Sequence, residues 1–120
     1  MPAFDVSRTS DEDIILCRIY RFLADSEAEL LVAALSPLIT TSRRHHRPIR
    51  MLLDNRQGAV FSAKAAHALM LLREARDDRD RTAVLVSDNI NKLQAKRTAG
   101  PGTEVFVSEP EAMQWLQASA

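Results

Sequence analysis

Cysteine is almost missing from this 120-residue chain, with Cys17 as its single example. One cysteine cannot close an intramolecular disulfide or supply a Cys-cluster metal site, and it suits a reducing compartment. Glycine is scarce as well. The three glycines form neither a Gly-x-Gly-x-x-Gly run nor a Walker loop, which excludes the common phosphate-cradling motifs. The longest apolar run, Leu30 to Leu35, has six residues, against the ~18–20 that a membrane span needs. The opening Met-Pro-Ala-Phe-Asp-Val-Ser-Arg lacks the basic-then-apolar layout of an export signal, so a cytoplasmic location is expected. Neither charge is in excess: 16 basic and 16 acidic residues leave a formal net charge of zero. That balance argues against a dedicated nucleic-acid binder, although 13 of the cations are arginine. What remains is a 46% apolar chain of ordinary single-domain length. A chain of this size hides roughly two-thirds of its surface on folding, enough for one core.

Punctuation residues divide the chain into short alternating elements. Phe4–Arg8 reads as a strand, followed by a turn over Thr9 to Asp13 and a second strand over Ile14 to Phe22. In that second run Ile15, Cys17 and Ile19 share one face and Arg18 alternates onto the other. Ser26-Glu-Ala-Glu29 has the form of a capping box, opening a helix with Leu30, Leu31, Ala34, Leu35 and Leu38 at helical spacing. Pro37 is expected to kink or restart that helix, with Ser36 as the new cap. Ile49 to Asp54 is a short apolar-rich strand, and Asn55-Arg-Gln-Gly58 a loop. Ser62 is placed to cap a helix running to about Arg76, with Ala65, Ala66, Leu69, Met70 and Leu72 as its buried stripe. Thr82 to Val86 is apolar on both faces, as an interior parallel strand should be. Ser87 or Asp88 then caps a helix with Ile90, Leu93 and Ala99 inward, ending at Gly100-Pro-Gly102. Glu104 to Val107 is the last strand, and Ser108-Glu-Pro-Glu111 a second capping box opening a helix with Met113, Trp115 and Leu116. The order β-β-α-β-α-β-α-β-α predicts an α/β domain over residues 1–120. Its sheet is mixed but mostly parallel, opened by an antiparallel strand pair and covered by helices.

Several groups carry chemistry in principle. Asp54, Asn55, Arg56 and Gln57 follow the third strand, and the carboxyl ends of parallel strands are where ligands and partners dock. Asp54 and Ser87 occupy two strand ends that a phosphoryl receiver would use, but the acidic pair and the lysine it also needs are missing. Arg43, Arg44 and Arg47, with His45 and His46, form the one strong local charge imbalance. They are a candidate anion patch, or simply cations complementing a helix end. Adjacent histidines diverge on a helix, and no third ligand stands at metal spacing, so no metal or other cofactor is expected. Nucleophile, base and orienting group cannot be assembled into a catalytic set, so none is assigned.

Taken in order, Arg50-Met-Leu-Leu-Asp54, Asn55-Arg-Gln-Gly58, Arg81-Thr-Ala-Val-Leu-Val-Ser87, Lys92-Leu-Gln-Ala-Lys-Arg97 and the ending Val105 to Leu116 resemble the STAS fold. Within it, the chain is similar to the SpoIIAA-like (STAS/SEC14-like) small bacterial proteins, from about Ile14 to Leu116. The resemblance implies a non-enzymatic regulatory or protein-interaction module, acting through the loop after the third strand and the following helix. In anti-sigma antagonists that helix starts with a phosphorylatable serine in an Asp-Ser-Ser-Gly-Leu-type run. The matching stretch here is Val60-Phe-Ser-Ala-Lys-Ala-Ala66, which makes Ser62 the candidate phospho-acceptor without the acidic neighbour, the second serine or the glycine. The expected partner is a protein, and a homodimer is compatible with this reading. The SEC14-like side of the resemblance implies the alternative, an apolar small molecule or lipid held between sheet and helices.

Overall fold

The computed structural model describes residues 2–9, 13–57, 62–73, 78–97 and 99–118. Its elements are β1 (Phe4–Arg8), β2 (Ile15–Ile19), α1 (Asp25–Arg44), β3 (Arg50–Asp54), α2 (Ala63–Arg73), β4 (Arg81–Leu85), α3 (Asn89–Lys96), β5 (Thr103–Phe106) and α4 (Glu109–Gln117). The predicted order and the opening antiparallel pair are both present. β1 pairs with β2 in antiparallel register, and β2, β3, β4 and β5 follow in parallel, so the strand order across the sheet is the order in the chain.

That unbroken order decides where the helices go. Each parallel crossover is right-handed and each steps the same way, so the three connecting helices must all land on one face. The core divides accordingly. Ala28, Leu31 and Leu35 of α1, Ala65 of α2 and the partly buried Ala95 of α3 pack with Ile15, Cys17, Ile19, Met51, Leu53, Val84 and Val105. The opposite face is covered by α4, whose Ala112 and Leu116 meet Leu52, Ala83 and Leu85. Most of these residues are almost inaccessible, and a fully buried Leu or Ile contributes about 1.5–3 kcal/mol. Trp115 on α4 packs on Phe106 at 5.7 Å between ring centres. Arg81 crosses the Trp115 ring at 5.2 Å and donates to the Trp115 carbonyl at 2.6 Å, a cation at the negative end of α4.

Several expectations are corrected. The second strand covers Ile15–Ile19 only, and Phe22 is half-exposed beyond it. α1 starts one residue before Ser26, with Ala24 as its cap. Glu27, rather than Glu29, reaches back to a backbone amide, accepting from Ala24 N at 3.2 Å. This start puts Ala28, Leu31 and Leu35 inward and leaves Leu30 exposed. Pro37 does not restart the helix, which runs continuously from Asp25 to Arg44. The amide that proline lacks would have bonded the carbonyl of Ala33, which lies on the exposed side where water can replace it.

Of the stripe predicted for α2, Ala65 is buried but Ala66 and Met70 are exposed. On α3, Ile90 and Leu93 point outward. The Asp88 cap and the Gly100–Gly102 turn fix the helix phase so that the small Ala95 and Ala99 approach the sheet instead. The turn expected at residues 10–12, Gly58, Val60 and Phe61, and the end of the second helix toward Arg76 lie outside the described residues. So do the side chains of Leu69 and Leu72.

Candidate functional site

Alternation along β2 sends Arg18 to the face that α4 covers, and the last residue of β3, Asp54, is its register partner. α4 returns over β4 and β3, which carries its first residue, Glu109, back to the same place. Arg18 Nη1 therefore donates to Asp54 Oδ2 at 2.6 Å and to Glu109 Oε1 at 2.9 Å. Arg56, two residues beyond Asp54, completes a quartet. Its Nη2 donates to Asp54 Oδ2 at 2.9 Å and Glu109 Oε1 at 3.1 Å, its Nε to Asp54 Oδ1 at 3.0 Å. The Arg56 backbone N–H also donates to Asp54 Oδ1 at 3.1 Å, closing an Asx-type turn that starts the loop.

Two guanidinium groups and two carboxylates balance in charge. Burial pushes the Asp54 carboxyl up, but the hydrogen bonds from the Arg56 side chain and backbone and from Arg18 outweigh it and hold it below the usual carboxylate range. The hydrogen bond to Glu109 raises Arg18 above its ordinary value, and that to Asp54 raises Arg56. A carboxylate held ionised and occupied on both oxygens anchors its surroundings and is a poor proton acceptor. The quartet ties three chain segments together at the carboxyl rim.

The remaining loop residues fall into two kinds. Asn55 N–H donates to the Leu85 carbonyl at 2.8 Å, extending the β3–β4 ladder by one bond. Gln57 is exposed in the turn. Ser62 sits where the chain enters α2: its N–H donates to the Leu23 carbonyl at 3.0 Å and its Oγ accepts from Ala65 N–H at 3.1 Å. Ser62 is therefore the cap of α2, as expected from its position.

Arg43, Arg44 and Arg47 lie at the opposite, amino edge of the sheet. Arg43 makes a bidentate pair with the buried Asp80 at 3.1 and 2.6 Å, and Asp80 also accepts from Ile49 N–H at 2.8 Å. Arg47 pairs with Asp13 at 2.5 Å, and Arg8 pairs with the same carboxylate. Arg44 is exposed. Two members of the expected patch thus tie the end of α1 to neighbouring segments.

A groove of about 220 Å³ runs between α1 and α2, lined by Ala28, Val32 and Ala68 with Glu29 and Lys64 at its rim. It is open to solvent and lies between two helices, whereas the apolar-ligand reading asked for an enclosed gap under them. The Lys64–Glu29 pair, 2.7 Å, bridges its edge.

Sequence reasoning found Asp54 and Arg56 but missed Arg18 and Glu109. A guanidinium in the middle of an otherwise apolar strand, and an acidic residue directly after a helix cap, were the available signals.

No family model matches the chain, and no curated protein matches it. Solved structures do, and they show the fold: a SpoIIAA-like α/β arrangement. One is an uncharacterized protein of the DUF3478 family with a SpoIIAA-like fold from Shewanella loihica PV-4. It has a TM-score of 0.64 and 18% identity, over 95% of this chain and 92% of that one. Another is the anti-sigma factor antagonist SpoIIAA in its unphosphorylated form, with a TM-score of 0.66 and 18% identity, over 98% of this chain and all of that one.

Proposed function

We propose that this chain is a non-enzymatic regulatory domain that binds a protein through the loop after β3 and the start of α2. One observation carries the reading: the loop leaves a locked rim, where Asp54 accepts four hydrogen bonds, yet holds Arg56 and Gln57 toward solvent and ends at Ser62. Arg56, already fixed by its bonds to Asp54 and Glu109, loses little conformational entropy on docking, which favours recognition. Likeness to a protein named as an anti-sigma factor antagonist supports a regulatory role for that recognition.

Ser62 is the candidate point of control. A phosphate on its Oγ would meet the amide groups and the positive end of α2, and would place about two negative charges on the docking loop.

Affinity capture from host lysate tests the proposal. The wild-type chain should retain a protein that Arg56→Ala and Ser62→Asp each retain less well. Retention of no protein, or equal retention by all three, would count against it.

A further inference from the structure

Two helices of this neutral chain contain no carboxylate. α2 carries Lys64 and Arg73, and α3 carries Lys92 and Lys96 with Arg97 as its cap. α1 opens on Asp25 and Glu27, and α4 on Glu109 and Glu111. The right-handed crossovers set α2 and α3 on the same face of the sheet, over neighbouring strands. Lys64 is paired with Glu29 of α1, so the positive charge that concerns this face is that of α3.

The same two helices expose large apolar side chains. Ile90 is 71% and Leu93 64% exposed on α3, and Met70 52% and Leu71 49% on α2. Ile90, Leu93 and Arg97 fall at i, i+3 and i+7, one stripe on the side away from Ala95, which packs on the core. Lys96 flanks that stripe, Arg97 ends it, and both are exposed. Asp88, the carboxylate just before α3, is committed as its cap, accepting from Asn91 N–H at 2.8 Å. A single exposed aliphatic residue is unremarkable, but four on two helices of one sheet face, with the exposed Lys96 and Arg97 beside Ile90 and Leu93, make a surface suited to association.

We infer that the α2–α3 face docks an acidic amphipathic helix of a protein partner. Its aliphatic residues meet Ile90, Leu93, Met70 and Leu71, while its Asp and Glu flanks meet Lys96 and Arg97. An anionic membrane is the less suitable occupant. Interfacial binding draws on aromatic anchors and larger clusters of cations, and neither α2 nor α3 contains Phe, Tyr or Trp. The inference shares with the proposed function the premise that a protein is bound, but it rests on α3 and the later turns of α2 instead of the loop and the α2 start, so the two fail separately.

The test uses the full chain and a fluorescein-labelled four-turn synthetic helix with Leu at i, i+3, i+4 and i+7 and Glu elsewhere. Anisotropy should report binding that weakens at least about tenfold in the Ile90→Ser/Leu93→Ser double variant, and again as salt is raised. A Lys-for-Glu version of the peptide should bind at least about tenfold more weakly. Lys96→Glu/Arg97→Glu should reverse that preference. Far-UV circular dichroism checks that each variant is folded. Arg56→Ala, aimed at the loop, should leave peptide binding unchanged. Four results would overturn the inference: no binding of the acidic peptide, equal binding of both peptides, loss of binding in Arg56→Ala alone, or partition onto phosphatidylserine/phosphatidylcholine vesicles in preference to the peptide.

Discussion

Arg18 and Asp54 face each other as register partners on adjacent parallel strands, joined by a 2.6 Å hydrogen bond on the face that α4 crosses. Arg18 also holds Glu109, so it touches both carboxylates of the quartet from below, while Arg56 touches both from the solvent side. Their exposures differ: the Arg18 side chain is 26% exposed and that of Arg56 43%. Removing Arg18 leaves Asp54 nearly buried beneath one outer partner, and Arg18→Ala should cost about 2 kcal/mol, less than the 3–5 of a fully buried pair. Arg56→Ala should cost about 0.5–1 kcal/mol, because water and Arg18 compensate. Urea unfolding of the two variants checks the order, and equal losses would contradict this division of labour.

Acid should release the quartet in a defined window. Asp54 is held below its ordinary value in the folded state, so the unfolded chain binds the proton more readily. Its contribution is fully present above the unfolded carboxylate range, near pH ~4, and is lost as pH falls through the folded value. Urea midpoints should therefore fall on acidification below about pH 4. Asp54→Asn, which cannot titrate, should remove part of that fall.

Local chemistry was legible in the sequence, and phase and long-range pairing were not. β1 was delimited correctly, the caps Ser62 and Ser108 were placed, and the α3 cap was narrowed to Ser87 or Asp88, because capping depends on residues three apart. The start of α1 was misread because Ser26-x-x-Glu29 is the better local box, Ala24 having no side-chain acceptor, yet the start at Asp25 buries Ala28, Leu31 and Leu35, a tertiary matter. Ile90 and Leu93 were placed inward because large apolar residues usually are, yet small alanines let α3 approach the sheet. Arg18 and Glu109 stand 91 residues apart and meet only because α4 crosses to the other face.

α1 ends in a Schellman motif that an L-residue completes at a cost. His46 has φ 57°, its N–H donates to the Arg43 carbonyl at 3.0 Å, and the Arg47 N–H donates to the Ser42 carbonyl at 2.9 Å. Glycine takes that left-handed conformation without the side-chain clash. His46→Gly should raise stability by about 0.5–1 kcal/mol, after the added freedom of the unfolded chain is subtracted. Thermal or urea unfolding would show the gain, and a loss would mean that the imidazole makes a compensating contact.

Cys17 should be chemically silent while the chain is folded. Burial, then the nearby Asp5 and Asp54 carboxylates, push its thiol up to about 12, so the reactive thiolate is scarce near pH 8. Ellman's reagent should leave the native chain unmodified for as long as it stays folded and titrate one thiol in denaturant. Rapid native labelling would place Cys17 outside the core.

Ser62 allows its structural and regulatory roles to be separated by substitution. As the α2 cap it accepts from Ala65 N–H, so Ser62→Ala, which leaves that amide unsatisfied, should cost about 1 kcal/mol. Aspartate caps a helix about as well as serine and adds charge where the helix end is positive, so Ser62→Asp should unfold at nearly the wild-type midpoint. A cap with no other role predicts a binding defect, if any, in Ser62→Ala, following its stability. A regulatory serine predicts the reverse: Ser62→Ala binds the partner normally once folded, whereas the stable Ser62→Asp does not. Measuring both unfolding midpoint and partner capture for the two variants distinguishes the cases, because stability and binding then move in opposite directions.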